Sequence, residues 1–112
     1  MAFSAKFRLP YVSVNGGTTA SYTMPADDHV VDYTSVPNSD VTVNLVLAAT
    51  AGRGAWVLIT NSDGSASPAA NINVVRAGAD TVNGGSGYSL ASNYISLMLV
   101  SDGISKWVRT QG

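Results

Sequence analysis

Apolar and polar residues alternate along most of this chain with a period of two. Phe3, Ala5, Phe7 and Leu9 are separated by Ser4, Lys6 and Arg8, which predicts a strand with one buried face, ended by Pro10. Tyr11 to Val14 reads as a short extended piece closed by Asn15-Gly16-Gly17, a hairpin-type turn signal. Thr18 to Met24 is weakly β, and Pro25 to Asp28 is a loop. A short strand follows over Val30 to Tyr33, then a turn-rich stretch from Ser35 to Asp40. Val41, Val43, Leu45 and Leu47 share a face, while Val46 makes the opposite face partly apolar. Ala48 to Gly54 is a small-residue connection. Its glycines favour a loop, although a short helix also fits.

The second half repeats the pattern with stronger strands. Ala55 to Thr60 is apolar on both faces, as a central strand is. Asn61 to Pro68 is a polar loop with an Asp-Gly turn. Short strands are expected at 71–75, 80–82 and 88–90, punctuated by Gly78 and by Asn83-Gly84-Gly85-Ser86-Gly87. Tyr94 to Val100 places Ile95, Leu97 and Leu99 on one face and Tyr94, Met98 and Val100 on the other. Ser101-Asp102-Gly103 is a turn into a last strand, Ile104 to Arg109, which carries Trp107. No helical periodicity, linker or fixed-period repeat competes with this reading. It predicts one all-β domain over residues 1–112, a compact antiparallel β-sandwich or jelly-roll-like unit. Residues 1–24 are expected to form an N-terminal strand or an arm that docks on a partner.

Strands that are apolar on both faces change the picture. A sandwich offers each sheet a single inner layer. The spare faces, including Val46, Trp56 or Val57, Met98 and Trp107, therefore call for a second partner. Only 12% of the residues are charged, against 46% hydrophobic, and every acid is an aspartate. Typical domains carry roughly 25% charge. Two readings follow: a β protein coated in Ser, Thr and Asn, or a subunit that hides much of its surface in an assembly. The expected interface residues are Phe3, Phe7 and Arg8 on the arm, with Trp56, Met98 and Trp107.

Candidate chemistry is thin. There is no cysteine, hence no disulfide, thiolate nucleophile or Cys-held metal. A formal charge of −1 lacks the basic footprint of a nucleic-acid binder. No apolar run is long enough to span a membrane, and the first residues lack the apolar core of a signal peptide. Asp27, Asp28, His29 and Asp32 form the one cluster of metal-type ligands, and a solvated loop explains it as well. His29 is the single imidazole, and no G-x-S-x-G elbow is present. The glycine-rich run at 83–87 does not match a phosphate loop. Neither catalysis, a cofactor nor a bound metal is expected.

Residues 60–109 are more specific. Thr60-Asn61-Ser62, Asn71-Ile72-Asn73-Val74, Gly78-Ala79-Asp80-Thr81-Val82-Asn83-Gly84 and Tyr88-Ser89-Leu90 occur in that order. Ile95-Ser96-Leu97-Met98-Leu99-Val100-Ser101-Asp102-Gly103 and Trp107 follow. This succession resembles a pattern in bacteriophage virion proteins: tail-fibre tips, head fibres and capsid decoration proteins. The resemblance covers residues 41–112 and implies a trimeric β structure with a structural role and no catalytic residues. It implies a decoration or cement protein made in the host cytoplasm and seated on the outer capsid surface. Its partners would be its own copies and the major capsid protein or other virion proteins. The alternative is a receptor-binding fibre tip that takes a host glycan or protein, with Tyr88 and Tyr94 beside the 61–70 loop.

Overall fold

The computed structural model describes residues 10–26, 29–37 and 39–111. The first predicted strand, and with it Phe3, Phe7 and Arg8, lies outside the described residues. So do Asp27 and Asp28 of the acidic cluster.

Ten strands are present among the described residues: β1 (Tyr11–Asn15), β2 (Ser21–Thr23), β3 (His29–Ser35), β4 (Val41–Asn44) and β5 (Trp56–Asn61), then β6 (Ile72–Val75), β7 (Thr81–Val82), β8 (Gly87–Leu90), β9 (Ser96–Ser101) and β10 (Lys106–Gln111). They form a six-stranded sheet, in the order β1-β3-β5-β9-β10-β7, and a four-stranded sheet, in the order β2-β4-β6-β8. The all-β, two-sheet expectation holds. The antiparallel one does not.

The chain alternates between the two sheets from β1 to β6, so each return to a sheet brings a strand in the same direction. β1, β3 and β5 are parallel, and so are β2, β4 and β6. These three turns of a coil are unequal in length: Tyr11 registers with Val30, but Val30 registers with Leu58. Only then does the chain double back. β8 runs antiparallel to β6, β9 to β5, and β10 to β9, while the short β7 lies parallel to β10. The Asn15-Gly16-Gly17 signal therefore marks a corner between sheets and not a hairpin. The Ser101-Asp102-Gly103 turn is a hairpin turn as expected. The Asp102 carboxylate accepts the backbone N–H groups of Ile104, Ser105 and Lys106, and Gly103 has φ 78°. Those donors hold the Asp102 carboxyl below its ordinary pKa.

The core lies between the sheets. Val31, Tyr33, Val57, Ile59, Leu97, Leu99 and Trp107 from the large sheet meet Val41, Val43, Ile72, Val74 and Leu90 from the small one. The segment between β4 and β5 contains the four-residue helix α1 (Ala48–Ala51), so the loop reading of 48–54 needs correcting at its start. No side chain of its own caps this helix. Asp80, 6% exposed, accepts the Ala48 N–H at 2.8 Å instead. Ser101 Oγ donates to the Ala48 carbonyl, and the Trp107 indole N–H donates to the Val46 carbonyl at 3.0 Å. Three distant parts of the chain thus satisfy one buried corner.

Tyr33 is fully buried, and its hydroxyl donates to the Thr42 carbonyl at 3.1 Å. Burial, with the nearby Tyr22, pushes its pKa up to about 12. The folded state therefore holds this proton after the unfolded chain has lost it. Stability is expected to fall as pH rises from 10 towards 12, by about 2–3 kcal/mol at most for two pKa units. Urea titrations across that range check this. Tyr33→Phe should flatten the profile, and an unchanged slope would show that other groups set it.

Candidate functional surface

The two sheets turn different chemistry outward. In β5 and β9, Val57, Ile59, Leu97 and Leu99 point into the core. Strand alternation then sends Trp56, Leu58, Met98 and Val100 to the outer face, where they are half-buried. The registers line these residues up across strands. Tyr11, Val30, Leu58 and Met98 form one row, and Trp56, Val100 and Val108 a second. Tyr11 is 61% exposed and Val108 45% exposed. Ile104, 74% exposed, stands at the tip of the β9–β10 turn. An apolar patch thus crosses five of the six strands of the large sheet, from β1 to β10. Its polar border is the next row, Ser13, Asp32, Thr60 and Ser96.

Asp32 is buried within that border, at 2% exposure, and is fully tied. Tyr11 donates its hydroxyl to Asp32 Oδ2 at 2.5 Å, and the Ser62 N–H donates to Oδ1 at 3.0 Å. The hydrogen bond to the carboxylate raises the Tyr11 pKa, since ionisation would set phenolate against carboxylate. Asp32 therefore anchors β1 to β3 and to the start of the 61–70 loop, which is a structural use of the carboxylate. Among the described residues no group of three or more metal-type side chains comes together.

The small sheet presents the opposite surface. Ser21, Thr42, Asn73 and Ser89 form one outward row across its four strands, and Thr23, Asn44 and Val75 belong to the next. These groups bond one another: Asn44 Nδ2 donates to Ser21 Oγ at 2.9 Å, and Ser89 Oγ donates to Asn73 Oδ1 at 2.9 Å. The low charge therefore has a different form on each side. The small sheet wears neutral hydroxyls and amides, and the large sheet wears apolar side chains.

Of the residues expected at an interface, Trp56 and Met98 lie on the apolar face. Trp107 does not: it is 1% exposed and belongs to the core, because its alternation in β10 matches Ser101 and Leu99 on the inner side. Val30, Leu58 and Val108 were not singled out from the sequence. Each is one apolar residue in a short strand, and only the register gathers them. Tyr94, also expected at a binding end, is 67% exposed and has φ 56°. It lies beside the 61–70 loop as expected, close enough that a Cβ on Gly64 would meet its ring at 2.5 Å. Tyr88 is elsewhere, on β8 against Arg109.

No protein-family model matches the chain, and no curated protein matches it.

Proposed function

We propose that this chain is a structural subunit of a bacteriophage virion, a decoration protein that meets both its own copies, as a homotrimer, and the capsid through the outer face of its large sheet. The observation that carries the reading is the apolar patch of Tyr11, Val30, Trp56, Leu58, Met98, Val100 and Val108. Contiguous apolar surface of this kind marks contact with other protein. The virion setting rests on the motif succession in residues 60–109. The structure gives those motifs architectural work: Asn61, Asp80, Asp102 and Trp107 pin turns and corners. Burying the patch across neighbouring subunits would stabilise the assembled shell by mass action.

Met98→Asp tests this. Met98 is half-buried on the outer side of β9, so the change leaves the inner core untouched. A carboxylate there would be buried unpaired in the interface, and association should weaken at least 100-fold, since such a charge costs about 3–5 kcal/mol. Light scattering should show a trimer for the parent chain and a monomer for the variant. Capsids mixed with the variant should lose the added thermal resistance. A trimer that survives, or equal shell binding, would reject the reading.

The fibre-tip alternative draws on Tyr94, an exposed aromatic in a left-handed backbone conformation beside Gly64. Tyr94→Ala should abolish host-cell binding under that reading and leave capsid binding unchanged.

A further inference from the structure

The coil has one open end. β1 is an edge of the large sheet and β2 an edge of the small one, and among the described residues no strand pairs with either on its outer side. The last turn of the coil is covered, since β9 pairs with β5 and β8 with β6. A terminal turn has a neighbour on one side only and needs a cap. Val12 of β1 and Tyr22 of β2 are in register with Val31 and Val43 and turn inward as those residues do. Val31 and Val43 are fully buried, but Val12 and Tyr22 are only half-buried. The backbone is open there too. The Pro10 carbonyl accepts the Val30 N–H at 2.9 Å. Alternation along β1 then directs the N–H and C=O groups of Val12 towards β3 and those of Tyr11 and Ser13 to the free edge. Such an edge is a template for one more strand.

The sequence that precedes β1, outside the described residues, has the pattern of that strand. Phe3, Ala5, Phe7 and Leu9 alternate with Ser4, Lys6 and Arg8. Two local constraints keep this run from covering its own copy. Within the coil, the shortest crossings between the sheets take the chain from Asn15 to Ser21, from Thr23 to His29 and from Ser35 to Val41. Between Leu9 and Tyr11 stands Pro10 alone, already bonded into the large sheet. The run therefore cannot return to its own β2 without giving up Phe7 and Leu9 to the crossing. A tight hairpin back onto its own β1 is equally disfavoured. Arg8-Leu9-Pro10-Tyr11 has no glycine or asparagine for the positive φ of such a turn. A residue before proline is instead held extended, so Leu9 sends the run straight out of the sheet. Residues 3–9 reach up to about 23 Å in that form, far enough to meet a neighbour.

We propose that residues 3–9 of one copy add as a strand to the free β1 edge of a second copy. Its apolar side, Phe3, Ala5, Phe7 and Leu9, covers Val12 and Tyr22 at the open end of the core. Its polar side, Ser4, Lys6 and Arg8, lies on the side of Tyr11 and Ser13. The exposed Tyr11 ring there is a partner for a cation. Main-chain pairing with Tyr11 and Ser13 supplies affinity, and the buried phenylalanines supply specificity. Passed from copy to copy, the exchange closes a ring. It deepens the assembly reading: it rests on an oligomer of this chain and not on the capsid.

The test uses the full chain, which has no cysteine of its own. Ser13→Cys, at an exposed position of β1, is combined in turn with Ser4→Cys, Lys6→Cys and Arg8→Cys. Facing residues on adjacent strands lie about 4.5–5.5 Å apart at Cα, within disulfide reach. Under mild oxidation at least one pair should give covalent oligomers on a non-reducing gel, and reduction should return them to monomer. Ser89→Cys, on the outer face of the small sheet, should give none in place of Ser13→Cys. Adding Phe7→Asp should cut the cross-linked fraction at least tenfold with an unchanged circular dichroism spectrum. No cross-link from any pair, disulfides formed only within monomers, equal cross-linking through Ser89→Cys, or indifference to Phe7→Asp would each overturn the proposal. The two readings also fail separately. A parent chain that scatters light as a trimer but never cross-links sinks the exchange and leaves the patch holding the trimer. Cross-linking that persists when Met98→Asp is added keeps the exchange and rejects the patch as the contact between copies.

Discussion

Trp107→Ala is expected to destabilise the chain by about 3–5 kcal/mol, the usual cost of emptying a buried tryptophan site. The side chain is 1% exposed and packs where β10 faces the small sheet. Its loss would also orphan the Val46 carbonyl, which accepts the indole N–H at 3.0 Å. That carbonyl belongs to the corner before α1, whose other ties come from Asp80 and Ser101. A cavity under this corner cannot collapse easily, because two further hydrogen bonds hold the backbone above it. For a domain of this size the melting temperature should fall by at least about 12 °C. Trp107→Phe separates the contributions. It keeps most of the apolar volume, loses the hydrogen bond and should retain roughly half the lost stability. A melting temperature within about 2 °C of the parent for Trp107→Ala would show that the indole contributes neither packing nor the tie to Val46.

Trp107 also shows where sequence reading stopped. Alternation identified the strands of the second half closely: 96–101 against an expected 94–100, and 106–111 against an expected 104–109. It assigned faces correctly where both neighbours were informative, as for Leu97 and Leu99 against Met98 and Val100. In the last strand, Val108 and Trp107 are both apolar, and alternation alone does not say which turns inward. The register with Ser101 decides it. Strand direction was not legible at all. A strand has the same period of two whichever way it runs, so the parallel coil of β1 to β6 looked like a series of hairpins. Its turns differ in length, and no repeat betrayed them. The turn residues were legible because their requirements are local. Asn83 and Gly84 have φ 50° and 84°, and the Asp102 carboxylate collects three N–H groups within four residues of itself. The contact between Arg109 and Tyr88 was not legible, because the two residues come from different sheets.

The second large effect is expected at Asn61, the asparagine that ends β5. It is 1% exposed and uses its amide completely. Nδ2 donates to the Tyr33 carbonyl at 2.9 Å and to Asp63 Oδ1 at 2.8 Å, and Oδ1 accepts the Ala66 N–H at 2.8 Å. One side chain thus joins β3 to the 61–70 loop and closes that loop on itself. Asn61→Leu keeps the size and removes every bond. The Tyr33 carbonyl and the Ala66 N–H would both be left buried without partners, at about 1–3 kcal/mol each. The expected loss is about 2–6 kcal/mol in urea denaturation. Asn61→Asp retains an acceptor for Ala66 but sets a carboxylate against the Tyr33 carbonyl and Asp63, so it should not rescue stability at neutral pH. Asp63→Ala is the contrasting change. Burial pushes the Asp63 carboxyl up, but the Ser65 hydroxyl and N–H and the Asn61 amide outweigh it and leave its pKa lowered. The side chain nevertheless sits at the exposed surface, where such bonds are worth about 1 kcal/mol or less. If Asn61→Leu were no more damaging than Asp63→Ala, the strand-end asparagine would be turn punctuation alone. A several-fold larger effect at Asn61 makes it the residue through which the 61–70 loop, with Tyr94 beside it, is fixed to the large sheet.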